Sequence, residues 1–67
     1  MKQQVTNNLA ELRKDANITQ QSMADQVGVS RQTIISIEKG KYTPSVLLAI
    51  KIANVLSVRV ENIFSLT

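Results

Sequence analysis

The apolar positions fall into short groups at helical spacing, separated by polar caps and a few residues that stop helices. Leu9, Leu12 and Ala16 recur three and four residues apart, which predicts a first helix from Asn7 or Asn8 to Asp15 with one apolar stripe. Thr19 is a good N-cap, and Met23, Ala24 and Val27 follow before Gly28. A second helix therefore begins after Thr19 and ends at a residue that accepts the left-handed conformation. Val29 fills the turn, Ser30 caps, and a third helix covers about 31–39 until Gly40. A fourth begins at Thr43-Pro44-Ser45, proline being tolerated in a first turn, and continues to about Leu56. A short fifth helix is expected over about 59–64, with Ser57 as its available cap. Strict alternation over strand lengths is missing except near the termini. The expected architecture is all-α, a compact five-helix domain.

The second and third helices are separated only by the turn around Gly28, Val29 and Ser30. That is the length of a helix-turn-helix, although many helical hairpins have turns as short. The faces of the third helix are more informative. On a wheel of about 100° per residue, Thr33, Ile34 and Ile37 gather on the side that must face a core. Arg31, Gln32, Ile35, Ser36 and Lys39 share the other. A guanidinium, an amide, a hydroxyl and an ammonium within two turns suit base edges and phosphates. The same groups on any surface helix meet water, so the face alone leaves both readings open.

Composition narrows the function. The chain has 67 residues, no cysteine and no histidine. It is expected to be one small domain, residues 1–67, whose marginal core favours self-association. Disulfides and thiolate metal sites are ruled out, and the commonest metal ligand and general base are missing. Glu11, Asp25 and Glu61 fall on different predicted elements, and no nucleophile–base pair stands out. No enzyme, cofactor or metal is therefore expected. Eight Lys and Arg against five Asp and Glu give a formal charge of +3, which fits a polyanionic partner without proving one. No run reaches the roughly 18 apolar residues of a membrane span. The first residues, MKQQVTNN, lack the apolar region of a secretory signal. A cytoplasmic location and no membrane partner are expected.

Residues 19–44, TQQSMADQVGVSRQTIISIEKGKYTP, give the pattern its specificity. Gln20 opens the second helix, Ala24 sits at the helix crossing, Gly28 in the turn, Val29-Ser30 before the third helix, and Ile37-Glu38-Lys39-Gly40 at its end. This stretch resembles the signature of the Cro and lambda-type repressor helix-turn-helix (xenobiotic-response-element) family. The likeness extends over NNLAELRK on one side and LLAIKIANVL and ENIF on the other, and is strongest to short stand-alone members. It implies a lambda-repressor-like fold with the helix-turn-helix over about 19–39. It also implies sequence-specific binding of double-stranded DNA by a dimeric transcriptional regulator, a repressor. By position, the resemblance assigns base reading to Arg31, Gln32, Ile35 and Ser36, and phosphate contacts to Thr19, Gln20, Ser30, Lys39, Lys41 and Tyr42. Capping alone also explains Thr19 and Ser30. Ile35 departs from a position often polar in the family: it touches a thymine methyl or is simply exposed. The resemblance further pairs Arg13 with Glu38, which keeps Glu38 out of the base-reading set. Antitoxins share such a fold, so a toxin–antitoxin pair is the alternative function.

The fourth helix is apolar almost all round. Leu48, Ala49, Ile52, Ala53, Val55 and Leu56 cover one side, while Val46, Leu47 and Ile50 fall on the other. A surface helix normally has one such stripe, so the fifth helix or a partner subunit covers the second. The apolar residues Val58, Val60, Ile63, Phe64 and Leu66 exceed what one short helix can bury, which favours the partner. A homodimer joined through Ile50, Ile63, Phe64 and Leu66 follows as an expectation, with an inverted-repeat operator.

Overall fold

In the computed structural model, which describes residues 3–67, the chain runs β1 (Val5–Asn7), α1 (Leu9–Asp15), α2 (Gln20–Val27), α3 (Arg31–Glu38), α4 (Val46–Leu56), a 3₁₀ turn (Val60–Asn62) and β2 (Phe64–Leu66). The first two residues of the expected domain lie outside the described residues. Three helices begin at hydroxyl caps. The Thr19 hydroxyl accepts from the Ser22 N–H at 3.0 Å, Ser30 from Thr33 at 3.2 Å and Ser45 from Leu48 at 3.1 Å. Each cap satisfies a backbone donor that has no partner inside its helix. Pro44 precedes the Ser45 cap rather than sitting in the first turn of α4.

All four helices close in the same way. Asn17, Gly28, Gly40 and Ser57 take the left-handed conformation, with φ of 59°, 76°, 75° and 56°. The next residue then donates back across the last turn: Ile18 to the Arg13 carbonyl, Val29 to Ala24, Lys41 to Ser36 and Val58 to Ala53, at 2.9 to 3.1 Å. Glycine and asparagine tolerate that backbone and serine less so. Ser57 is thus the C-terminal stop of α4, not a cap for a further helix. Ser57→Gly should raise stability by about 0.5–1 kcal/mol, the relieved strain exceeding the added chain entropy; urea unfolding measures it.

Leu9, Met23, Ile34, Ile37, Ile52 and Ile63 are fully buried and form the centre of the core with Ala24, Val27, Leu48 and Ala53. Each large side chain buried there contributes roughly 1.5–3 kcal/mol. Ala16 is exposed instead of completing the apolar stripe of α1. The left-handed Asn17 turns the chain, and Ile18 packs inward in its place.

The expected fifth helix is replaced by one tight turn and a strand. The Asn62 side-chain carbonyl accepts from the Arg59 N–H at 3.1 Å, and the Asn62 N–H donates to the Arg59 carbonyl at 2.9 Å. Beyond Ile63 the chain extends and pairs antiparallel with β1, Val5 opposite Leu66, Thr6 opposite Ser65 and Asn7 opposite Phe64. Among the described residues the fold is mostly helical, with four α-helices and a two-stranded sheet, not the all-α five-helix domain expected. The sheet joins the two ends of the chain, and Ile63 leads into the core beneath it.

Candidate nucleic-acid interface

Helices α2 and α3 pack on each other across the turn formed by residues 28–30. Ile34 and Ile37 are buried in the core, with α3 packed on α2 and α1, so the wheel reading of α3 holds for these two inner residues. Arg31, Gln32 and Lys39 are exposed, whereas Ile35 and Ser36 are half-buried. Thr33 is half-buried as well, its hydroxyl 3.0 Å from that of Ser30. Two shallow hollows flank the helix. One is lined by Ser30, Gln32, Ser36 and Tyr42, the other by Lys14, Thr19, Gln20 and Arg31. Thr19, Ser30, Lys39, Lys41 and Tyr42 are exposed, and Gln20 is half-buried.

The underside of α3 is fixed by an ion pair. Arg13 Nε donates to Glu38 Oε2 at 2.7 Å, and both side chains are only 8% exposed. A second guanidinium nitrogen, Nη1, donates to the Ile18 carbonyl at 2.8 Å, and Gln20 Nε2 donates to Glu38 Oε1 at 3.0 Å. Arg31 Nη2 reaches Gln20 Oε1 at 3.3 Å. Glu38 is thereby turned away from the exposed face, its charge neutralised by Arg13. Gln20 was expected at a phosphate; it also belongs to this network, linking the ion pair to Arg31.

Sequence reasoning missed two residues. Lys14 is exposed beside Thr19 and Gln20; its place in the last turn of α1 gave no sign of that neighbourhood. Asn7 ends β1 instead of opening α1, and its side chain donates to the Ile37 carbonyl at 2.8 Å. The dimer set also changes. Ile63 is 2% exposed and has no free surface for a partner, because the turn before β2 points it into the core. Phe64 is half-buried against that core, while Ile50 and Leu66 remain 46% and 64% exposed. Val46, 76% exposed, extends that apolar surface, whereas Leu47, 65% exposed, lies in a separate hollow beside Tyr42 and Lys51. Among the described residues no cluster of potential metal ligands occurs, and no helix is long and apolar enough to cross a membrane.

Two helices set across a short turn, with a polar second helix held from behind by an ion pair, define a helix-turn-helix domain. Comparison with known proteins agrees. The helix-turn-helix family model HTH_3 matches residues 9–63. An HTH-type transcriptional regulator of Methanocaldococcus jannaschii, MJ0272, is 60% identical over 48 residues, covering 72% of this chain and 73% of that protein. The Bacillus subtilis HTH-type regulator YgzD is 45% identical over 58 residues, 87% of this chain and 88% of its own length. The restriction-modification controller protein C.AhdI of Aeromonas hydrophila superposes with a TM-score of 0.75 at 26% identity, over 81% of this chain and 82% of its own. The chain belongs to the Cro/C1-type helix-turn-helix family of DNA-binding transcriptional regulators.

Proposed function

We propose that this protein is a cytoplasmic, sequence-specific repressor that binds double-stranded DNA as a twofold dimer, with α3 in the major groove. The observation that carries the reading is the division of α3: an apolar face locked in the core, and an outer face that presents Arg31 and Gln32 free of the core. In a major groove, a guanidinium suits the two acceptors of guanine and an amide suits adenine, while Ile35 can cover a thymine methyl and Ser36 can meet either base type. Phosphates are then held from both sides. Thr19 and Gln20 sit at the N-terminus of α2 and Ser30 at that of α3, where unpaired N–H groups and the helix dipole attract an anion. Lys39, Lys41 and Tyr42 lie at the other end of α3. The weak Arg31 to Gln20 contact is given up easily when either side chain turns to DNA. Two copies related by a twofold axis read an inverted repeat, and occupation of that site represses an overlapping promoter.

Selection from a randomised duplex pool supplies the test. The pool should converge on an inverted repeat with half-site centres about 34 Å apart. Arg31→Ala should weaken binding to the selected duplex by about 1–3 kcal/mol and relax preference at one position. Lys41→Ala should weaken selected and scrambled duplexes alike and reduce the salt slope by about one. A pool that stays random, or an Arg31→Ala protein with unchanged preference, overturns the reading.

A further inference from the structure

We propose that Asn7 is a positioning residue for DNA reading: its side chain pins the C-terminal end of α3 to the terminal sheet and so sets the tilt at which α3 meets the groove. The proposal rests on α3 being the reading helix. The amide of Asn7 is used at both ends. Its Oδ1 accepts from the Leu9 N–H at 3.1 Å, capping α1, and its Nδ2 donates to the Ile37 carbonyl at 2.8 Å. Only this orientation satisfies both partners, since Leu9 offers a donor and Ile37 an acceptor. The Ile37 carbonyl lies in the last turn of α3, where a helical partner is missing. It accepts the Gly40 N–H at 2.9 Å, and Asn7 fills its second lone pair.

The anchor behind Asn7 is firm. Asn7 pairs with Phe64 across the sheet, and the neighbouring Asn8 N–H donates to the carbonyl of buried Ile63 at 3.1 Å. Arg13 holds the adjacent residue, Glu38, by its side chain. Thus α3 is restrained from behind at two successive residues, once through its backbone and once through a side chain. Both restraints sit at the end remote from Arg31. The six residue steps from Arg31 to Ile37 span about 9 Å of helix, so a tilt of about 10° at Ile37 moves the backbone of Arg31 by about 1.5 Å. A shift of that size breaks a bidentate base contact but leaves long, flexible lysines on the phosphates.

Two variants isolate the pin. Asn7→Asp keeps an acceptor for Leu9 but removes the donor. Asn7→Ser keeps a short capping oxygen that cannot reach Ile37. In DNA-free protein, backbone residual dipolar couplings should show α3 rotated relative to α4 in both variants, with the remaining helices unchanged. On DNA, affinity for the selected duplex should fall about tenfold, in the range of one good base contact, while scrambled-duplex affinity and the salt slope stay as in wild type. Unchanged couplings in both variants overturn the proposal, as does an equal loss on selected and scrambled duplexes. A wild type without preference between the duplexes defeats the reading of α3 alone, and the couplings still decide the pin.

Discussion

Glu38→Ala is expected to cost about 3 kcal/mol of folding stability. The carboxylate and Arg13 are each 8% exposed and meet at 2.7 Å. Removing the carboxylate alone strands a guanidinium that has lost its water and keeps only the Ile18 carbonyl as a partner. Leaving a buried charge unpaired is far more damaging than removing the whole pair. Arg13→Ala should be costly for the converse reason, with Gln20 as the remaining donor to Glu38. The double variant should therefore lose less than the sum of the two, by roughly 1–3 kcal/mol of coupling. A domain of this size holds only about 3–10 kcal/mol in total, at roughly 0.05–0.15 kcal/mol per residue, so the single variants should melt well below wild type. Glu38→Gln, which retains an acceptor for Arg13 and Gln20, should fall between. Urea unfolding of the four proteins closes the cycle. Strict additivity would show that the two residues are not coupled, and that α3 is oriented by apolar packing and Asn7 alone.

The parts of this molecule that local chemistry controls were legible in its sequence. Hydroxyls at Thr19 and Ser30 and glycines at 28 and 40 bound α2 and α3 because each solves a local problem of unpaired backbone groups. The burial of Met23, Ala24, Val27, Ile34 and Ile37 followed from helical period. What was illegible is non-local. The strands β1 and β2 are three residues each, so the alternation near the termini was too short to be read as strands, and their pairing joins residues far apart in the chain. A helix drawn through residues 59–64 put Ile63 on an outer face; the Asn62 turn sends it inward. The same missing sheet hid Asn7, which reads as a candidate first residue of α1 until β1 brings it beneath α3. At the interface, the polar face of α3 was visible, but the half-burial of Ile35 and Ser36 depends on how α3 sits among its neighbours.

Val46→Asp is expected to turn a dimer into a folded monomer and to weaken binding to the selected inverted repeat by at least about a hundredfold, since one reading helix supplies half the contacts. The exposed apolar residues are not scattered. One groove of about 190 Å³ is lined by Val5, Pro44, Val46, Ala49, Ile50 and Phe64, and a second hollow by Val5, Phe64 and Leu66. Val5 and Phe64 belong to both, so the face runs unbroken from the start of α4 to the terminal sheet. Contiguous apolar surface of this kind marks an interface more often than single exposed side chains do. Phe64 is a poor place to test it, because the ring is half-buried against the core and a charge there would damage the fold as well. Val46 is better. It is 76% exposed and is the first residue of α4, where a carboxylate interacts favourably with the helix dipole; the monomer should keep its thermal stability. Leu66→Asp, at a 64% exposed position on β2, probes the other end of the face. Sedimentation at micromolar concentration should give a dimer for wild type and monomers for both variants. A wild type that sediments as a monomer and binds a single half-site with full affinity would sink the twofold model.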